Sequence, residues 1–113
     1  MELVCLVLHD AEKLEGLLTA LSKENISGAT VLDCQGMGEL LLRSQKKEEI
    51  PFFEILSDLL DSDTDSKLIL MVLRKGMAEK ARFVIRNFLG GLESPKTGIM
   101  FGVPLSFTEG IRE

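Results

Sequence analysis

The chain has 113 residues, 45% hydrophobic and 27% charged, and a net charge of −5. Those proportions describe one globular domain spanning residues 1–113, large enough to bury a core without disulfides or metal. The acidic balance argues against nucleic acid, whose backbone is neutralised by Lys and Arg, and against docking on an anionic membrane surface.

In chain order, Glu2 to Leu8 is a continuous apolar run that suits a strand buried on both faces. An acidic residue stands at position 2 where a signal peptide carries basic ones, and no apolar stretch reaches spanning length. The chain is therefore expected to be cytoplasmic, with Cys5 and Cys34 as reduced core thiols. Asp10 offers an N-cap, and Leu14, Leu17, Leu18 and Leu21 recur at helical spacing toward Asn25, a left-handed stop. Ile26 to Gln35 reads as a second strand, interrupted by Gly36-Met37-Gly38 and continued briefly by Leu40, Leu41 and Leu42. A polar loop over Ser44–Glu49 precedes a short helix, opened by Pro51, over Phe52–Leu60. An acidic turn over Asp61–Ser66 leads to a third strand, Lys67–Arg74. A second main helix over Gly76–Leu89 has Met77, Ala81, Val84, Ile85 and Phe88 on one side and ends at Gly90-Gly91. Gly98 to Pro104 is the last strand.

The order β-α-β-(short α)-β-α-β is that of an α+β, ferredoxin-like split βαβ sandwich. It implies a four-stranded antiparallel sheet with both main helices on one face. In the first strand, Leu3, Cys5 and Val7 cannot share a face with Val4, Leu6 and Leu8. The third strand divides in the same way. Leaving one set wet forgoes about 1.5–3 kcal/mol per large side chain, and an apolar sheet face of that size invites aggregation. A second copy of the chain is the simplest cover, so a homo-oligomer is expected.

Gly28-Ala29-Thr30-Val31-Leu32-Asp33-Cys34-Gln35-Gly36-Met37-Gly38 follows the pattern G-x-T-V-x-x-x-x-G-x-G. It resembles the second strand of the nitrogen-regulatory PII signal-transduction proteins, where their long loop begins. Ile99-Met100-Phe101-Gly102-Val103-Pro104-Leu105 is similar to their final strand, and the likeness runs in order over nearly the whole chain. The resemblance implies a homotrimer with sheets packed inward, adenine-nucleotide binding in clefts between subunits, and control of a partner protein through the loop. The chain departs from the family at several points. Ile99 stands where the family has a phosphate-binding Lys, Glu39-Leu40 where it has Gln, and Arg112 alone where it has paired Arg. Residues 44–60 replace the long loop, with no Tyr to modify. The likeness is thus to a divergent PII-like branch.

Each motif has a plainer reading beside the functional one. Gly36, Met37 and Gly38 could turn main-chain amides toward a ligand phosphate, or form a bulge. Thr30, beside Gly28 and Ala29, could bond a ligand or serve as a β-former. Gly90–Thr97 approaches a phosphate-binding loop, but Pro95 removes an amide donor and a strand follows where a helix is needed. Lys96 remains a candidate anion contact. Asp61, Asp63 and Asp65 imitate a calcium loop without its Gly or closing Glu. With His9 the only histidine and no nucleophile motif, neither a metal site nor hydrolysis is indicated. An acyl-phosphate hydrolase needs an Arg after strand one, where His9-Asp10-Ala11-Glu12 stands. Lys75, Lys80, Arg82 and Arg86 read as the wet face of the second main helix.

These readings converge on a cytoplasmic, non-enzymatic signal-transduction regulator of the PII-like class. Its effector is expected to be a small molecule such as an adenine nucleotide, with no obligatory cofactor. The candidate ligand residues are Gly28, Ala29, Thr30, Gly36, Met37, Gly38 and Lys96. The rival is a trimeric assembly adaptor that has lost the ligand.

Overall fold

The computed structural model describes residues 1–42, 66–93 and 96–111. The expected loop over Ser44–Glu49, the helix over Phe52–Leu60, the acidic residues at 61–65, Pro95 and Arg112 lie outside the described residues. Four strands form one sheet: β1 (Glu2–Leu8), β2 (Thr30–Cys34), β3 (Ser66–Leu73) and β4 (Gly98–Pro104). Their spatial order is β2-β3-β1-β4, and every neighbouring pair is antiparallel. Each β-α-β unit is therefore split by a strand of the other, which is the ferredoxin-like arrangement. Between the strands run α1 (Leu14–Lys23), the short α2 (Met37–Leu42) and α3 (Lys75–Leu89).

Asp10 starts the first helical segment as the sequence suggests. Its carboxylate accepts from the Glu12 amide at 3.1 Å and opens a single 3-10 turn, Ala11–Lys13, before α1. Asn25 ends the segment with φ of 62°, and the Ile26 amide returns to the Leu21 carbonyl at 3.0 Å. That turn drives Ile26, 3% exposed, into the core as a plug, so β2 begins only at Thr30. At the end of α3, Gly90 takes φ of 72° and Gly91 donates to the Arg86 carbonyl at 2.9 Å. A residue with a Cβ would resist that left-handed position.

Alternation along the strands decides what is buried. Val4, Leu6 and Leu8 of β1 and Ile69 and Met71 of β3 form one side of the core. Leu17 and Leu21 of α1 and Ala78, Ala81, Ile85 and Leu89 of α3 form the other. Of the helical stripe expected on α3, Ala81 and Ile85 are buried and Met77 and Val84 pack against the core, whereas Phe88 is 40% exposed. Phe88 instead lies over Gly16, where an added Cβ would come within 2.7 Å of the ring. Neither main helix lies on the opposite side of the sheet. The register puts Leu3, Val72 and Val103 in one row, Cys5, Leu70, Phe101 and Thr30 in the next, and Val7, Leu68, Ile99 and Leu32 in the third. Toward both edges this face is open: Leu32 is 46% exposed, Phe101 49% and Ile99 59%.

Leu40, Leu41 and Leu42 do not continue β2, as the apolar run suggested, but belong to α2. Leu is a strong helix former, and a three-residue run cannot by itself separate strand from helix. Among the described residues, no helix is long and apolar enough to cross a membrane.

Candidate functional site

One end of the sheet collects polar groups from four separate parts of the chain. His9 and Ser66 continue the β1–β3 register one step beyond Leu8 and Lys67. Cys34 lies opposite Ser66 on the other side. The His9 amide donates to the Thr97 carbonyl at 3.2 Å, which places Thr97 and the neighbouring Lys96 at the same end. The row Cys34, Ser66, His9 and Thr97 thus crosses all four strands. By the alternation of β1, His9 lies on the side of Leu3, Cys5 and Val7, so the row borders the open face.

Glu39 meets this row from α2. Glu39 is 5% exposed, and its Oε1 accepts a hydrogen bond from the Ser66 hydroxyl at 2.5 Å. Ser66 is fully buried, and its Oγ lies 3.3 Å from His9 Nδ1. The second carboxylate oxygen, Oε2, is buried without a hydrogen-bond partner. An orphaned buried acceptor costs about 1–3 kcal/mol, so this oxygen stands out among the described residues. The serine lies between the other two groups rather than next to a free substrate path. A hydrolytic arrangement would put the histidine in the middle and the hydroxyl at the surface.

Cys34 is half-buried and Cys5 buried, and both thiols are free. Burial pushes the Cys34 thiol above its ordinary value of 9.0, and the carboxylates of Glu39 and Asp33 push it further, against a smaller pull from Lys67. Burial alone raises Cys5. A thiol held protonated is a poor nucleophile and metal ligand. No group of three or more His, Cys, Asp or Glu residues able to hold a metal ion occurs among the described residues.

The ligand residues expected from the sequence are divided by the sheet. Gly36, Met37, Gly38 and Lys96 lie at the polar end, together with His9 and Ser66. Gly28 and Ala29 precede β2, and Thr30 begins it opposite Leu70, in the middle row of the open face. Gly36 accepts the first α2 hydrogen bond, from the Leu40 amide at 3.1 Å, and Gly38 lies inside the helix. Neither takes the positive φ seen at Gly90, Gly91, Gly98 and Gly110. Met37 is 77% exposed, and Lys96 is exposed as well. Glu39 and Ser66 escaped notice as site residues because nothing local marks them; residues 9, 39 and 66 meet only once the strands pair.

The described residues define a ferredoxin-like α+β module with an apolar sheet face open toward both edges and a polar row at one end. No family model matches the chain, and no curated protein matches it.

Proposed function

We propose that the chain is a PII-like regulator that works as a homotrimer, binds a small effector between subunits and controls a partner protein. An adenine nucleotide is the first effector to try. The open apolar face carries this reading. Alternate residues of β1, β3 and β4 are apolar on it, with Ile99 and Phe101 on the outermost strand about half exposed or more. Packing such faces against one another removes a surface that a lone chain would leave wet. Thr30 belongs to the same face on the edge strand β2. A copy covering that face would bring its own atoms beside Thr30, where a cleft between subunits is needed. The polar row with Gly36, Gly38 and Lys96 supplies a second, adjacent contact region.

The geometry of the glycines favours a second reading, a trimeric assembly adaptor without a ligand. Gly36 and Gly38 lack the positive φ that an αR–αL anion-binding nest uses.

Thermal unfolding of the purified chain against nucleotides, cyclic nucleotides, 2-oxoglutarate and bicarbonate separates the two. A ligand at 100 times its Kd adds about 2.7 kcal/mol, equivalent to roughly 10 °C or more in Tm for a domain near this size. Such a shift with one compound supports the regulator. Unchanged curves at millimolar ligand, from a protein that sediments as a trimer, leave the adaptor.

A further inference from the structure

The Glu39–Ser66–His9 chain has a feature that neither assembly nor effector binding uses. Ser66 has one hydroxyl proton and two neighbours that could take it. With α2 in place, that proton goes to Glu39 Oε1 at 2.5 Å, and His9 Nδ1 at 3.3 Å can bond the same oxygen only by donating its own proton. If α2 lifts away, Ser66 can donate to His9 Nδ1 instead. That requires the other imidazole tautomer, with the proton on Nε2. The Ser66 hydroxyl is therefore satisfied in both states, while the orphaned Oε2 of Glu39 burdens only the docked one.

We propose that Ser66 is a two-position hydroxyl switch. It fastens α2 to the end of the sheet by donating to Glu39, and it releases α2 by donating to His9. Three observations support release as a real alternative: the helix is short, Met37 and Leu40 on it are exposed, and the buried Glu39 carboxylate is incompletely bonded. Release would uncover the His9 and Ser66 end of the open face, so the state of one hydroxyl governs access to that surface.

His9 is the only histidine in the chain, so its ring nitrogens can be read without assignment ambiguity by nitrogen NMR on the 113-residue chain. In alkaline buffer, where an imidazole is neutral, the wild type should show the Nδ1–H tautomer. Glu39→Leu frees the Ser66 proton for His9 and should convert the ring to Nε2–H. Glu39→Gln keeps an acceptor oxygen for Ser66 and should retain Nδ1–H. Hydrogen exchange at the Leu40, Leu41 and Leu42 amides reads the helix itself. Glu39→Leu and Ser66→Ala each remove the bond that fastens α2, so both should speed that exchange about tenfold, with the β1 and β3 amides unchanged. The same tautomer in wild type and Glu39→Leu overturns the proposal. So does a Ser66→Ala effect spread equally over the β1 and β3 amides, because Ser66 would then support the fold as a whole. Should Glu39→Leu fail to fold, the wild type and Ser66→Ala still decide: the switch requires Nδ1–H in the wild type and faster exchange confined to α2 in Ser66→Ala, and either result missing overturns it.

Discussion

Phe101→Lys tests whether the open sheet face is an interface. Phe101 lies on the outer strand β4, opposite Cys5, and is 49% exposed. A Phe side chain presents about 200 Å², so covering the exposed half would bury about 100 Å². At about 25 cal/mol per Å² that is worth about 2.5 kcal/mol per protomer, equivalent to roughly 60-fold in an equilibrium constant. Three protomers multiply the effect, and a buried ammonium without a partner adds its own penalty. Within a single chain, by contrast, the same change removes a ring that is already half in water. Sedimentation velocity over micromolar to hundred-micromolar protein should show wild type as a trimer and Phe101→Lys as a monomer with unchanged circular dichroism. Two monomeric proteins, or two equally stable trimers, would refute the reasoning that this face is covered by copies of the chain.

Other outcomes follow from the core and the turns. Cys5 and Cys34 have thiols raised from 9.0 in the folded chain. Their contribution is fully present below the unfolded-state value and is lost as pH climbs through the raised one. Denaturant midpoints should therefore fall above about pH 9, with less of a fall in Cys5→Ala. Gly98→Ala should destabilise strongly, by about 2–4 kcal/mol, because φ is 150° and the new methyl would press on the Val7 carbonyl. Gly90→Ala meets no neighbour within 4 Å, so only the left-handed strain of about 1–2 kcal/mol should appear in its melting curve. Gly16→Ala gains about 1 kcal/mol of helix propensity against displacement of the half-exposed Phe88 ring. A Tm within a few degrees of wild type is expected, and a large loss would mean that the ring cannot move.

The regular elements were legible where local pattern and tertiary role agree. β1 and β4 begin and end at the residues expected, and Asp10, Asn25 and Gly90 punctuate the chain as their chemistry predicts. Patterning also foretold that the two main helices would leave half of the β1 and β3 side chains on a face they do not cover. Ile26 misled because an apolar residue before Ala29 and Thr30 looks like strand, whereas the turn at Asn25 tucks it under the sheet. The triple Leu after Gly38 was ambiguous by its brevity, and a buried carboxylate at position 39 settles α2 at the sheet end. That carboxylate could not be read in advance. Glu39 is an ordinary exposed-type residue until β3 starts at Ser66 and β1 ends just before His9, and no local spacing encodes their meeting.

The interleaved strand order makes the two halves of the chain mutually necessary. The first half contributes β1 and β2, which run parallel with a gap one strand wide between them; the second contributes β3 and β4 with a matching gap. Neither half alone can form a single ladder pair of this sheet, since every neighbouring pair joins one strand from each half. A chain cut between Leu42 and Ser66 would thus yield two fragments that are each unfolded and together complementary, interlocking like the fingers of two hands. Their association would restore both the core and the Glu39–Ser66–His9 contact, whose members come from opposite sides of the cut.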